Sequence, residues 1–225
     1  PATMAIVLGG AVAAIGGADV AVFVVNAAAG IEVNTRRLLK LAESLNLPKA
    51  VVVNRIQAEN VQFPELMAAI RDTFGSAAKP MNLPAEGGTA VIDCFVNTEG
   101  DSALGEAADA QNELMESVIE ADEALMEAYL GGEKVSAEQL AAAFSTAMVS
   151  GTVVPVLFTD AKAEVGTAEL LDAVANYFPS PAQVPGRTIR AGEKEDAPVV
   201  DVACTGDKPF IGLAFRVTVD PFVGK

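Results

Sequence analysis

The sequence predicts an α/β protein built on a parallel β-sheet with helices on both of its faces. Uncharged, valine-rich runs are typical of strands that are buried on both sides, and three of them lie at residues 20–26, 50–53 and 153–158. Segments with apolar residues at helical spacing follow these runs. Because strands and helices alternate in this order, we expect parallel strands joined by right-handed crossovers.

The N-terminal residues 2–18 carry no charge, and only Asp19 separates them from a second uncharged run at 20–31. This length is sufficient for a membrane span, and small residues suit packed membrane helices, but no basic cluster flanks the run to orient it. We therefore predict a helix of small residues before the first strand, with a membrane span or signal peptide as the alternative. The chain begins at Pro1 without Met, so we expect a fragment.

Two amphipathic helices are predicted, one before and one after the strand at residues 50–53. Each has apolar residues on one face at spacings of three and four. These are Leu38, Leu41, Ala42 and Leu45 in the first helix, and Leu66, Met67, Ile70 and Phe74 in the second. Phe63-Pro64 marks the start of the second helix and Gly75 its end.

The alternation is interrupted between residues 85 and 151, which we interpret as an insert in the α/β unit. Its predicted elements are a turn at Gly87-Gly88, a strand at 90–96, a loop at 97–105, one long helix near 106–130 ended by Gly131-Gly132, and a further helix with a capping box formed by Ser136 and Gln139.

After the strand at 153–158, a closing helix returns the chain to the α/β unit. Its apolar face consists of Leu170, Leu171, Val174, Tyr177 and Phe178. Pro179-Ser180-Pro181 stops this helix, and residues 182–198, which are polar and contain prolines and glycines, are interpreted as a linker. Residues 211–219 alternate as a strand before a turn at Asp220-Pro221 and predict the first strand of another β-domain.

Composition restricts the classes of function. The chain has 225 residues, 51% of them hydrophobic, and a formal net charge of -15. Such a surface repels phosphate backbones, so we do not expect direct nucleic-acid binding, whereas a basic protein partner is compatible with it. Cys94 and Cys204 are far apart in sequence and are interpreted as reduced structural thiols. With no histidine and no cysteine pair, the sequence has no metal-ligand spacing.

Acidic residues concentrate in the insert. Between residues 106 and 138 there are ten acids and one base, Lys134. The pattern fits either a solvated helix face or a docking surface for a basic partner.

The candidate binding residues follow two of the predicted strands. The tetrad Asn54-Arg55-Ile56-Gln57 comes just past one strand, and Thr159-Asp160-Ala161-Lys162 follows another. In open parallel sheets, ligands bind outside the carboxyl ends of the strands. An ordinary surface loop is the alternative interpretation of both segments.

Residues 19–57 resemble the guanine-recognition half of a translational GTPase, most closely elongation factor G. Further matches occur in family order along nearly the whole chain: A-A-A-G-I-E-V-N-T at 27–35, E-A-D-E-A-L-M-E-A-Y-L-G-G-E at 120–133, V-V-P-V-L at 153–157, G-T-A-E-L-L-D-A-V at 166–174, F-P-S-P at 178–181 and D-P-F-V-G-K at 220–225.

The resemblance implies a P-loop-NTPase-like sheet with flanking helices, an inserted α+β subdomain and the first strand of a β-barrel domain. The implied division is a partial G domain at 1–84, the inserted subdomain at 85–151, the G-domain return at 152–181, a linker at 182–198 and the start of domain II at 199–225. It also implies GTP or GDP as ligand, the ribosome and the ribosomal stalk protein as partners, and a cytoplasmic location.

The resemblance assigns the guanine-binding roles to Asn54, Arg55, Gln57, Asp160, Ala161 and Lys162. The family's tetrad is N-K-x-D, whose Asp accepts two hydrogen bonds from guanine. Gln57 replaces that Asp, and its amide offers one acceptor and one donor. In the second loop the family has Ser-Ala; Ala161 matches, whereas Asp160 places a charge near the carbonyl edge of guanine.

The catalytic half of the family pattern is missing from this sequence. No G-x-x-x-x-G-K-[ST] phosphate loop occurs, and there is no histidine to position water. The glycines of the N-terminal segment do not fit G-x-G-x-x-G either, so a dinucleotide site is not favoured. We expect this chain itself not to hydrolyse GTP, and Mg²⁺ to bind only if a phosphate loop precedes it. The alternative is a degenerate G-like module that serves as an interaction surface.

Overall fold

The structure is a computed structural model, and it describes residues 4–7, 12–95, 97–131, 136–192, 194, 196–202, 204 and 211–214. The strands are β1 Met4–Val7, β2 Val20–Asn26, β3 Lys49–Asn54, β4 Ala78–Pro80, β5 Asn82–Ala85, β6 Ala90–Asp93, β7 Asp101–Ser102, β8 Gly105–Glu106, β9 Val154–Thr159, β10 Arg187–Arg190 and β11 Val199–Val202. The helices are α1 Val12–Gly17, α2 Val33–Ser44, α3 Phe63–Phe74, α4 Ala107–Ile119, α5 Glu123–Leu130, α6 Ala137–Ser150 and α7 Thr167–Asn176, with a 3₁₀ turn at Glu86–Gly88.

The predicted α/β class is confirmed by a five-stranded sheet in the order β1-β2-β3-β9-β4, in which every neighbouring pair is parallel. Strands β2 and β3 contain the predicted valine-rich runs. Strand β9 returns to the sheet between β3 and β4 after the long excursion through the insert. Three small antiparallel pairs lie outside this sheet in the described part of the chain: β5 with β6, β7 with β8, and β10 with β11.

Both faces of the sheet are covered, because successive residues of a strand point to opposite sides. In β2, Phe23 and Val25 belong to a core with residues of α2 and α3, such as Leu38 and Ile70. The alternate residue Val22 belongs to a second core formed with residues of α4, α6 and α7. A strand that is buried on both sides therefore needs no polar alternation, which explains the uncharged runs in the sequence.

The N-terminal segment differs from the prediction of a helix of small residues before the first strand, because it contains a strand as well. Residues 4–7 form β1, which pairs in parallel with β2 from Met4↔Val20 to Val7↔Phe23, and only Val12–Gly17 is helical. Strand pairing satisfies the edge of β2, an interaction that a local sequence pattern does not reveal. Among the described helices, none is both long and apolar enough to cross a bilayer.

The predicted long helix at 106–130 is two helices, α4 and α5. Asp122 explains the break, because its carboxylate accepts a hydrogen bond from the Leu125 backbone amide at 3.1 Å and so caps α5. The capping box predicted for Ser136 and Gln139 is present at the start of α6.

The region beyond the closing helix is partly strand. The segment interpreted as a linker contains β10, which pairs with β11. Of the strand predicted at 211–219, residues 211–214 are in neither helix nor strand, and the remaining positions lie outside the described residues.

An ion cluster joins α4 to the sheet. Glu113 accepts hydrogen bonds from Lys79 at 2.6 Å and from Arg71 at 3.0 Å. Burial on its own raises the pKa of the Glu113 carboxyl, but the hydrogen bond from Lys79 and the charges of Arg71 and Lys79 outweigh it, so this pKa lies below its ordinary value. The ionised carboxylate is therefore stabilised by folding.

We expect Glu113→Gln to lower the free energy of unfolding by about 0.5 kcal/mol at pH 7, a small effect because the carboxylate is 42% exposed and screened by solvent. A lowered folded-state pKa means that this contribution is present above the ordinary glutamate pKa and is lost as pH falls through the folded-state value. Urea unfolding from pH 7 to pH 3 measures it. Glu116→Gln, at an exposed position on the same helix, is the control and should show no such pH-dependent difference.

Candidate functional site

The two candidate loops lie at the same edge of the sheet. Strands β3 and β9 are neighbours in the sheet, and Asn54 is the partner of Thr159 in their register. The tetrad therefore begins beside the place where the second loop begins. This edge is the carboxyl edge of a parallel sheet, where the sequence predicted a binding site.

Asn54 ties the two loops together. Its Oδ1 accepts hydrogen bonds from the Arg55 backbone amide at 2.8 Å and from the Ala161 backbone amide at 3.0 Å. One side-chain oxygen thus connects its own turn to the second loop. The Ile56 amide adds another link by donating to the Thr159 carbonyl at 3.3 Å.

Asp160 is buried and its carboxylate connects the two loops by hydrogen bonds. Only 7% of the residue is exposed. Its Oδ2 accepts from the Gln57 backbone amide at 3.3 Å, and its Oδ1 accepts from the Ala163 amide at 3.2 Å. Its own backbone pairs with Val165 in both directions, at 2.8 and 3.1 Å. The carboxylate is therefore engaged by backbone amides of both loops, which counters the unfavourable charge expected from the sequence.

The remaining candidate residues are on the surface. Arg55, Gln57 and Lys162 are all exposed to solvent. Arg55 has a positive φ of 66°, which is uncommon for a residue with a side chain and fits a tight turn. Between Arg55 and Gln57 the turn is anchored by Ile56, which is 1% exposed.

The 3₁₀ turn of the insert contacts the backbone of this tetrad. Gly88 has a φ of 94°, and a Cβ placed on it would come within 2.4 Å of the Ile56 carbonyl oxygen. Only glycine permits this approach, because every other residue carries a Cβ. The insert and the tetrad are therefore in direct backbone contact.

Two cavities flank the turn. One of about 270 Å³ lies at the ends of β2 and β3 and is lined by Asn54 and Arg55, together with Asn26, Gly30, Glu32 and Thr35. A second cavity of about 430 Å³ is lined by Ile56 and by residues that include Phe63, Pro84 and Glu86. Gln57, Asp160, Ala161 and Lys162 line neither cavity. The structure thus joins the two loops by hydrogen bonds, and the Gln57 side chain is exposed outside both cavities.

Two polar residues near this edge were missed by sequence reasoning. Asn26 ends β2, beside Asn54 in the register, and its Oδ1 accepts from the Ala28 amide at 3.0 Å. Its position after a buried strand was a signal that could have identified it. Asn82 is 1% exposed and bonds to the backbone of Phe158 in β9, one residue before the second loop. No sequence pattern indicated that contact.

We expect Asn54→Ala to loosen the link between the two loops and to lower the free energy of unfolding by about 1–2 kcal/mol, because two backbone amides lose their acceptor. Hydrogen exchange of the Ala161 amide should accelerate more than that of amides elsewhere in the sheet. Asn34→Ala, at an exposed position on α2, is the control and should leave this amide unchanged. Unchanged protection of Ala161 in Asn54→Ala would contradict the link.

Comparison with known proteins identifies the class. Residues 11–180 match the family described as the elongation factor Tu GTP binding domain. A crystal structure of a protein from Thermus thermophilus superposes with a TM-score of 0.66 at 33% sequence identity, covering 76% of this chain and 28% of that chain. The fold and these matches define a translational GTPase G domain. The chain belongs to the elongation factor Tu GTP-binding-domain family, and guanine-nucleotide binding is a property of that family.

Proposed function

We propose that this chain supplies the base-recognition part of the G domain in an elongation factor G-like translation factor. The observation that carries the proposal is the double hydrogen bond of Asn54, which joins the tetrad turn to the Ala161 loop at the carboxyl edge of the sheet. In the whole protein, GTP binding and hydrolysis drive movement on the ribosome. The division into a G domain interrupted at 85–151 and a second domain from 199 belongs to the same proposal, and β10 of the segment interpreted as a linker pairs with β11 of that second domain.

Catalysis is not proposed for this chain itself. Its 225 residues contain no phosphate loop and no histidine, so they offer neither the usual grip on the β- and γ-phosphates nor an imidazole to position water. Mg²⁺ is normally held through the phosphates and the phosphate-loop hydroxyl. Nucleotide affinity in this chain therefore depends on contacts to the base and is weak.

Calorimetry with GDP tests the base-recognition role. The unmodified chain and Gln57→Asp are titrated under the same conditions. A carboxylate at position 57 accepts from both donors of the guanine edge, so Gln57→Asp should bind GDP roughly tenfold more tightly than the unmodified chain. Equal or absent binding by the two folded proteins would favour the alternative, a degenerate module that does not recognise nucleotide.

The acidic surface of the insert supports a second candidate role as a docking site. Glu113 is paired and Asp122 caps α5, which leaves other acids of this region exposed to solvent. The exposed acids are Glu106, Asp109, Glu116, Glu120, Glu123, Glu127 and Glu138. A basic protein partner fits this surface, and the resemblance suggests the ribosomal stalk protein.

Binding of the purified stalk protein to the unmodified chain and to a Glu116→Lys, Glu120→Lys double variant tests this role. Binding that weakens in the variant and at high salt supports docking. Binding that is equal in both proteins, or absent from both, contradicts it. A Glu43→Lys, Glu65→Lys double variant on α2 and α3, which cover the other face of the sheet, is the matched control and should bind like the unmodified chain.

A further inference from the structure

The surroundings of Gln57 determine which base this turn can read, and this question rests on the base-recognition role proposed above. The Gln57 backbone amide donates to the buried Asp160 carboxylate at 3.3 Å. The preceding Ile56 is buried, and its amide donates to the Thr159 carbonyl. Hydrogen bonds thus hold the backbone at Gln57 and at the residue just before it.

Asp160 does not replace the carboxylate that is missing at position 57. Its two carboxylate oxygens face the backbone amides of Gln57 and Ala163, and 7% of the residue is exposed. If this carboxylate turned outward to meet a base, two backbone amides would lose their acceptor, which is unfavourable for buried groups. The Gln57 amide is therefore the group that the turn presents to a ligand.

An amide is not complementary to the guanine edge. It carries one carbonyl acceptor and one NH₂ donor side by side. Guanine presents two donors, N1–H and the amino group on C2. The amide carbonyl can accept from N1–H, but the amide NH₂ then faces the C2 amino group, and two donors cannot form a hydrogen bond. Xanthine presents N1–H beside a carbonyl oxygen on C2. The Gln57 amide can accept from the first and donate to the second, so both of its groups are satisfied.

We propose that the tetrad turn of this chain selects 2-oxopurines, with xanthine nucleotides as the representative ligand, over guanine nucleotides. Hypoxanthine has N1–H but only a C–H at position 2, so it makes one hydrogen bond without a donor clash. The expected order of affinity is therefore xanthine, hypoxanthine, guanine. A carboxylate at position 57 reverses this order, because it accepts from both guanine donors and repels the xanthine oxygen.

The test uses nucleoside 5′-monophosphates, XMP, IMP and GMP, titrated into ¹⁵N-labelled protein and followed by NMR. With monophosphates, the measured affinity depends mainly on contacts to the base, which suits a chain without a phosphate loop. The unmodified chain should bind XMP roughly tenfold more tightly than GMP, because about one hydrogen bond distinguishes the two complexes. Gln57→Glu, which has nearly the same shape as glutamine, should reverse the preference. Gln62→Glu adds the same charge at an exposed position outside the turn and should retain the xanthine preference.

The possible outcomes separate this inference from the proposed function. If the unmodified chain prefers GMP, or shows no preference, while Gln57→Glu or Gln57→Asp binds GMP, the turn is a base site and the selectivity for xanthine is wrong. If no nucleotide shifts the resonances of the Asn54 and Ala161 amides in any of these folded proteins, both proposals fail. Retention of the xanthine preference by Gln57→Glu would also contradict the role of the amide.

Discussion

Asn82→Ala should be among the most destabilising single substitutions in this chain, with a loss of about 3 kcal/mol in the free energy of unfolding. The β4 strand pairs with β9 only as far as Pro80↔Val156. Beyond that point, the Asn82 side chain continues the ladder: its Nδ2 donates to the Phe158 carbonyl at 3.1 Å, and its Oδ1 accepts from the Phe158 amide at 2.7 Å. Alanine leaves both buried backbone groups without a partner.

Urea unfolding measures this loss. Asn97→Ala, at an exposed position, is the matched control and should change the free energy of unfolding by less than about 0.5 kcal/mol. Asn82→Asp keeps the acceptor for the Phe158 amide but loses the donor and buries a carboxylate, so it should also be strongly destabilising. Equal stabilities of Asn82→Ala and Asn97→Ala would show that the clamp on Phe158 contributes nothing.

The Gly166→Ala substitution should cost about 3 kcal/mol and disturb the second loop, because two effects combine at this position. Gly166 has a φ of 69°, which is unfavourable for a residue with a side chain, and an added Cβ would lie 2.3 Å from the Phe158 carbonyl oxygen. That oxygen belongs to strand backbone and cannot move like the end of a flexible side chain. The loop between Asp160 and Val165 must shift instead.

The Gly30→Ala substitution separates these two effects. Gly30 has the same φ of 69°, but nothing lies within 4 Å of an added Cβ. It should therefore show the conformational cost alone, about 1 kcal/mol. Thermal unfolding compares the two variants, and hydrogen exchange of the Asp160 and Val165 amides reports on the loop. If both variants lose the same stability, the contact with Phe158 is not a constraint.

The sequence was sufficient to predict the strands and helices whose burial produces a hydrophobic pattern within the element itself. A strand covered on both faces cannot carry charged residues without cost, so β2, β3 and β9 were visible as valine-rich runs. Helices α2 and α3 were visible because each buries one face. The capping box of α6 was visible because both of its partners lie within four residues. The confirmed fold class follows from these local signals and their order.

Elements that depend on distant partners were not visible. Strands β1 and β4 are short, and each is a strand because it pairs with β2 or β9 across the sheet. The break between α4 and α5 had a local signal in Asp122, but a continuous apolar pattern on either side obscured it. For β1 and β4, hydrogen bonds to a strand that is distant in sequence determine that the segment is a strand.

The same distinction applies to the candidate site. The sequence alone determined the chemical groups: an amide at position 57, a carboxylate at 160 and no phosphate loop. Only the tertiary structure decided their roles, because residues 57 and 160 meet across neighbouring strands. Their contact turns the Asp160 carboxylate towards backbone amides, whereas the Gln57 side chain remains exposed to solvent. Hydrogen bonding depends on distance and direction in space, so the identity of a residue cannot show whether its polar atoms are already engaged.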